Sequence, residues 1–191
     1  QNFGDLTQKR RPQSNGASDR TRGICIGGRN PNGGFNAGNV VDFITIASTG
    51  DAVDFGDCSN CQNAAVVTSS TRGIRIGGDD NTIEYITIQS TGTVSDFGDV
   101  TDSSARVKNS GCQSTTRGVF MGGYNPADTN TIQYITMSST GNSKDFGDLT
   151  VARRAGGTAG NATRAIHAGG RQVPSSLTTN ITEYLTIAST G

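Results

Sequence analysis

Residues 81–92 read NTIEYITIQSTG and place apolar side chains on both faces of an extended chain. Ile83 and Tyr85 fall on one face and Ile86 and Ile88 on the other, because successive strand side chains point to opposite sides. The stretch is rich in Thr, Ile and Tyr, lacks Pro and ends at a Ser-Thr-Gly turn, so it predicts a β-strand covered from both sides. The pattern returns as NVVDFITIASTG, NTIQYITMSSTG and NITEYLTIASTG, closing at Gly50, Gly141 and Gly191. Other words recur in step. An FGD triplet starts at Phe3, Phe55, Phe97 and Phe146, and a Thr-Arg pair sits at Arg22, Arg72, Arg117 and Arg164. Gly pairs follow: Gly27 with Gly28, Gly77 with Gly78, Gly122 with Gly123, and Gly169 with Gly170. The FGD triplets are 42 to 52 residues apart, a period that fits propeller blades.

Each unit predicts four strands: a small-residue stretch such as ARRAGGTAGN, then TRGIRIGG, then NTIEYITIQST, then DFGD outermost. The Gly pairs end the second strand, where a missing Cβ permits close approach or positive φ. The units run approximately over 8–57, 58–99, 100–148 and 149–191, the last completed by 1–7, in a single domain of 191 residues. The chain opens on an outermost strand and stops after a third strand. The fold expected is therefore all-β: a propeller of four four-stranded blades, its ring closed by the N-terminal outer strand pairing with the C-terminal blade. The runner-up is a segment of a larger propeller.

A strand running into Gly-Gly, a strand with a central aromatic, an outer strand and a recurring Arg together resemble the kelch repeat, along the whole chain. The outer strands carry Phe3, Phe55, Phe97 and Phe146 where kelch units carry Trp. The wording of the units is also similar to repeats in structural proteins of marine bacteriophages, especially cyanophages. That resemblance implies a virion-associated or extracellular surface protein.

Composition narrows the function. Only 32% of residues are hydrophobic, and 27 Gly stand against 4 Pro, which suits short strands and turns and disfavours long helices. Sixteen basic residues balance sixteen acidic ones, so no net field gathers nucleic acid or an anionic membrane, and no apolar run is long enough for a membrane span. Asp5, Asp57, Asp99 and Asp148 recur with the repeat, which gives them a structural role, capping turns or pairing with Arg22, Arg72, Arg117 and Arg164. His167 is the only histidine, and its slot holds Cys25, Arg75 and Phe120 in other units, so a catalytic triad or a copper site is not expected. Cys58 and Cys61 form a C-x-x-C open to three readings: simple burial, a local disulfide, or a metal site. Asn161 and Asn180 open N-x-T sequons. No catalytic set, cofactor or metal is expected.

The connections divide into two kinds. The Ser-Thr-Gly turns and the approaches to the Thr-Arg pair barely change, whereas the stretches after the Gly pairs and the joins between units vary widely. In four-stranded antiparallel blades the variable connections share one face, which is the expected binding face. Its candidate ligand residues are Arg29, Asn30, Asn32, Phe35, Tyr124, Asn125, Asp128, Arg171 and Gln172. The expectation is a non-enzymatic protein for assembly or attachment, meeting other virion or surface proteins or glycans and able to form a homo-oligomer. The alternative is a free-standing lectin-like glycan- or protein-binding module.

Overall fold

The computed structural model describes residues 1–11, 16–28, 38–59, 61–78, 80–102, 110–124, 126–172 and 177–189. Its regular structure is entirely β, in four antiparallel sheets set in a ring as a four-blade β-propeller arrangement. Blade 1 contains β1 (Gly16–Ser18), β2 (Arg22–Ile26), β3 (Val40–Thr45) and β4 (Val53–Asp57), in chain order from the centre outward. Blade 2 repeats this with β5 (Ala65–Thr68), β6 (Arg72–Ile76), β7 (Thr82–Thr87) and β8 (Ser95–Asp99). Blade 3 has β9 (Gly111–Gln113), β10 (Arg117–Tyr124), β11 (Asp128–Thr136) and β12 (Lys144–Asp148). Blade 4 has three strands, β13 (Gly157–Gly160), β14 (Arg164–Ala168) and β15 (Thr182–Thr186).

The two-sided third strand explains how the blades stack. Ile83 packs towards blade 3 in a cluster with Phe120 and Ile135, while Ile86 and Ile88 pack towards blade 1 with Ile24 and Phe55. A third cluster joins Val119, Ile132 and Phe146 of blade 3 to Ala165 and Ile187 of blade 4. Each cluster therefore lies between blades, which is where a sheet with two apolar faces must bury them.

The Gly pairs stand just beyond the second strand in three blades and inside it in the fourth. Strands β2, β6 and β14 stop at Ile26, Ile76 and Ala168, immediately before Gly27, Gly77 and Gly169. The second members, Gly28, Gly78 and Gly170, then turn the chain with φ of +125°, +110° and +111°. These are values an L side chain rarely adopts, so the pair serves as the strand's exit rather than its last two rungs. Blade 3 departs from the expected ending. There β10 runs through Gly122 and Gly123 to Tyr124, because its ladder with β11 resumes after a register shift between Met121 and Gly123.

The FGD and STG words are two halves of a backbone latch between neighbours. Gly92 N–H donates to Phe55 O and Gly141 N–H to Phe97 O, each at 2.7 Å. The β7–β8 ladder pairs Ile83 with Gly98 and then Glu84 with Asp96, so Phe97 is a bulged residue. Its ring meets Tyr85 edge-on, centroids 6.1 Å apart. Gly98 is required by the approach itself: φ is +146°, and a Cβ would lie 2.6 Å from the Gly141 carbonyl.

The N-terminal segment uses this latch as well. Gly50 N–H donates to Phe3 O at 2.7 Å and Ala52 N–H to Asp5 O at 2.8 Å, so residues 3–5 sit on blade 1 as the outer strand of a preceding blade would. The complementary ladder from residues 3–7 to β15 is not formed among the described residues, so the expected closure is present on its blade 1 side alone. The anchoring explains the difference. Thr7 Oγ1 donates to Asp42 at 2.6 Å and Arg10 forms a 2.7 Å ion pair with the same buried carboxylate, which ties the segment to blade 1 rather than to blade 4.

Candidate functional site

The links from second to third strand and from blade to blade emerge on one face, and its described part is organised by Arg154. This residue lies between β12 and β13. Its guanidinium stands 3.9 Å from the Tyr124 ring centroid and 3.2 Å from Asp128 Oδ1. Its backbone exchanges two hydrogen bonds with Arg171, at 3.1 and 2.9 Å, and Gln172 N–H donates to Leu177 O at 3.0 Å. Tyr124, Asp128 and Arg171 are thus gathered across blades 3 and 4 by an arginine that sequence reasoning did not single out, with Gln172 next to Arg171 in the chain. The signal available was the variable blade-to-blade join TVARR, which carries Arg153 and Arg154 together.

Two of these residues differ from the loop expected of them. Tyr124 and Asp128 pair directly at the end of the β10–β11 ladder. The Asp128 side chain is 2% exposed beneath Arg154 and so serves as an internal counter-charge rather than a free acid on a loop. Arg29, Asn30, Asn32, Phe35 and Asn125 lie outside the described residues.

The repeated arginines bind rings rather than acids. Arg22, Arg72, Arg117 and Arg164 stand 4.5 to 4.7 Å from the ring centroids of Phe43, Tyr85, Tyr134 and Tyr184. Three also reach the next blade, Arg22 donating to Ile88 O at 3.0 Å, Arg72 to Ser138 O at 3.3 Å and Arg117 to Ile187 O at 2.9 Å. None pairs with Asp5, Asp57, Asp99 or Asp148 among the described residues, which corrects the pairing proposed from sequence. Register supplies the reason: Arg72 faces Thr87 at one end of β7, whereas Asp99 faces Thr82 at the other.

The Gly pairs bring this face close to the blade-to-blade joins. A Cβ at Gly78 would overlap the Gln62 carbonyl oxygen, one at Gly170 would lie 2.9 Å from the Arg154 carbonyl oxygen, and one at Gly122, where φ is +66°, would overlap that of Arg153. Gly28 is buried. Each pair therefore docks the exit of a second strand against the segment that enters the same blade or the next.

A polar position recurs in the third strand as Asp42, Glu84, Gln133 and Glu183, the first three buried and Glu183 partly exposed. Asp42, Glu84 and Glu183 accept hydrogen bonds from Thr7, Ser59 and Thr150 backbone N–H groups at 3.2, 3.2 and 2.7 Å. Gln133 accepts from Asp102 N–H at 3.5 Å and also from Ser143 Oγ at 2.6 Å. Arg75 bridges Asp80 at 2.9 Å and Glu84 at 3.5 Å, and Arg153 meets Glu183 at 2.5 Å. Arg153 Nε also donates to Nδ1 of His167 at 3.1 Å. Burial first, and the Arg153 charge second, lower the His167 pKa to about 4, with Glu183 opposing. Burial raises the Glu183 carboxyl, but Thr150, Arg153 and His167 outweigh it and the net shift is downward. With its Nδ1 lone pair engaged by Arg153, this imidazole does not take a proton from a serine or cysteine. Cys58 and Cys61 are buried in the cluster between blades 1 and 2, their sulfurs joined.

On the opposite face the turns after β1, β5, β9 and β13 surround a depression of about 460 Å³ lined by Ser18, Thr68, Ser70, Gln113, Thr115 and Ala162 among others. Ser69, Ser114 and Asn161 also line it, and they are there as turn caps. Asp19, Ser69, Ser114 and Asn161 accept from the N–H groups of Arg22, Arg72, Arg117 and Arg164 at 2.8, 3.0, 3.1 and 2.8 Å. No group of three metal-ligating side chains converges among the described residues. No protein-family model matches the chain, and no curated protein matches it either.

Proposed function

We propose that the chain is a non-catalytic binding and assembly propeller, kelch-like in its repeat and carried on a virion or extracellular surface. Its variable face meets another virion or surface protein, or a glycan. The carrying observation is the contrast between faces. One holds nearly identical capped turns, while the other holds connections of different length and chemistry, gathered in blades 3 and 4 around Arg154, Tyr124 and Asp128. A scaffold that keeps one face constant and varies the other suits recognition. The buried, arginine-bound His167 supports a non-catalytic reading, and the similarity of the units to phage structural repeats supports the virion.

Shortening the connections at 31–36 and 173–176 tests this. Binding to host cells, a glycan array or a neighbouring virion subunit should be lost. Folding should hold, because loop closure changes by only about 0.6 kcal/mol per doubling of length. Retained binding to every partner, or a collapse of the melting transition, would overturn the assignment of that face.

A further inference from the structure

The turns that follow β1, β5, β9 and β13 meet where the innermost strands end, and the cup of about 460 Å³ between them takes its wall from all four blades. Among the described residues, the lining offers hydroxyl, amide and methyl groups and no charged or aromatic side chain. It carries more polar groups than the turns use. Each turn needs one cap, and Ser69 Oγ and Ser114 Oγ each accept from two backbone N–H groups in that role. Asn161 Oδ1 accepts from two N–H groups and the Thr163 hydroxyl. The acceptor side of each cap is therefore spent on its own turn. Its O–H or NH2 remains as a donor, with only 3.5 Å contacts competing for the two serine hydrogens. The Ser18, Ser70, Gln113 and Thr115 side chains make no hydrogen bond among the described residues, and they add acceptors as well as donors. The wall is in place before a ligand arrives, since the caps hold the turns and Thr68 Oγ1 lies 3.3 Å from the Ser18 carbonyl oxygen of the neighbouring blade.

We propose that this cup is a saccharide site, taking one uncharged sugar unit on the face opposite the variable connections. Its chemistry selects that occupant. An anion meets no cation in the lining, and the turn N–H groups it would use are already capped. A cation meets no carboxylate. An apolar group would leave the lining donors and acceptors without partners. A sugar ring carries hydroxyls that each donate and accept, which matches a lining of both kinds of group at once. The volume lies in the range of about 300–1,000 Å³ that ligand clefts occupy. Ser70 from blade 2 and Gln113 and Thr115 from blade 3 engage the sugar, and Asn161 Nδ2 from blade 4 supplies a further donor. The site is separate from the face that carries Arg154 and stands whatever that face binds.

Titration of the isotope-labelled full chain with glucose, galactose, mannose and N-acetylglucosamine, read by backbone amide shifts, tests the proposal. At least one of these sugars should bind saturably and move the amides of the turns after β5 and β9. Gln113→Leu combined with Thr115→Val removes polar groups that the turns do not use while keeping most of the side-chain bulk. Affinity should fall at least about tenfold in this variant, with an unchanged melting curve. If it melts early, Ser70→Ala combined with Thr115→Val, both at exposed positions, takes its place. The chain shortened at 173–176 should bind the same sugar as tightly as the wild type. The absence of saturable binding by every sugar, or a folded double variant with wild-type affinity, would overturn the proposal. Shifts confined to the variable face, or loss of the sugar in the shortened chain, would overturn it too.

Discussion

Arg117 joins two blades with one side chain, its guanidinium over the Tyr134 ring and its Nη1 donating to Ile187 O at 2.9 Å. A lysine offers neither the planar stack nor the aimed donor. Arg117→Lys should therefore cost about 1–2 kcal/mol in urea unfolding, while Arg164→Lys, stacked on an exposed ring, should cost well under about 1 kcal/mol. Equal losses at the two positions would show that the inter-blade bond contributes nothing. His167 predicts a pH dependence of definite sign. Its folded pKa, about 4, lies below the ordinary 6.5. The unfolded chain therefore takes up a proton first, and stability present above pH 6.5 is lost as pH falls towards 4. That loss is at most about 3 kcal/mol. Glu183, also shifted downward, adds loss only below the ordinary carboxylate range, so the window from pH 6.5 to 5 belongs to His167. His167→Gln keeps an acceptor for Arg153 and should flatten chemical-denaturation stability in that window; an unchanged slope would refute the assignment. The Arg and aromatic positions were both visible in the sequence. Their partnership was not, because it depends on Arg72 and Tyr85 sharing a face two residues apart in register, which a list of repeats does not reveal.

The third strands were the most legible elements, since apolar residues in both parities leave no solvent face for a strand such as β7. The FGD and STG words were legible as repeats, but their relation was not: the latch runs between units, and a sequence aligned on itself stacks equivalent positions rather than showing which neighbours touch. The variable face was legible only as a class of connection. Arg154, which organises its described part, occupies one unit and has no repeated signature. The hairpin of blade 3 was misread because YNPADT resembles a loop, whereas Tyr124 and Asp128 pair in its ladder. The latch makes a sharp mutational forecast. Gly98→Ala places a Cβ 2.6 Å from the Gly141 carbonyl at φ +146°, and should destabilise by at least about 2 kcal/mol. Gly122→Val should do at least as much, because φ is +66° and the Arg153 carbonyl occupies the space. Shortening the connection at 173–176 should leave the melting midpoint within about 2 °C of wild type. Differential scanning calorimetry on the three variants checks the ranking; a loop trim that melts as early as the glycine variants would mean the connections, not the latch, hold the blades.

At the level of the whole molecule, the complementary phase of the two ends was legible as soon as the units were aligned. Where the first strand would settle was not, because Asp42 sits in a third-strand slot that holds Glu84, Gln133 and Glu183 in the other units, and nothing in the sequence marks it as an anchor. Asp42 is buried and holds three contacts from the incoming segment: Thr7 N–H at 3.2 Å, Thr7 Oγ1 at 2.6 Å and Arg10 at 2.7 Å. Deleting residues 1–8 removes both Thr7 bonds and the acceptors of Gly50 N–H and Ala52 N–H, and it uncovers the apolar groove of about 350 Å³ that Leu6 lines with Ile44 and Ala52. The turn amides can bond water instead, so their loss is modest. The buried carboxylate has only Arg10 left, and the Leu6 side chain no longer covers the groove. Together these should cost about 2–4 kcal/mol. For a domain of this size that lowers the melting temperature by roughly 4–16 °C, since each kcal/mol is worth about 2–4 °C. Thr7→Val in the full-length chain separates the contributions, removing the hydroxyl bond while keeping the latch, and should account for about 1 kcal/mol of the total. A truncated protein that melts with the wild type would show that residues 3–7 lie on blade 1 without stabilising it.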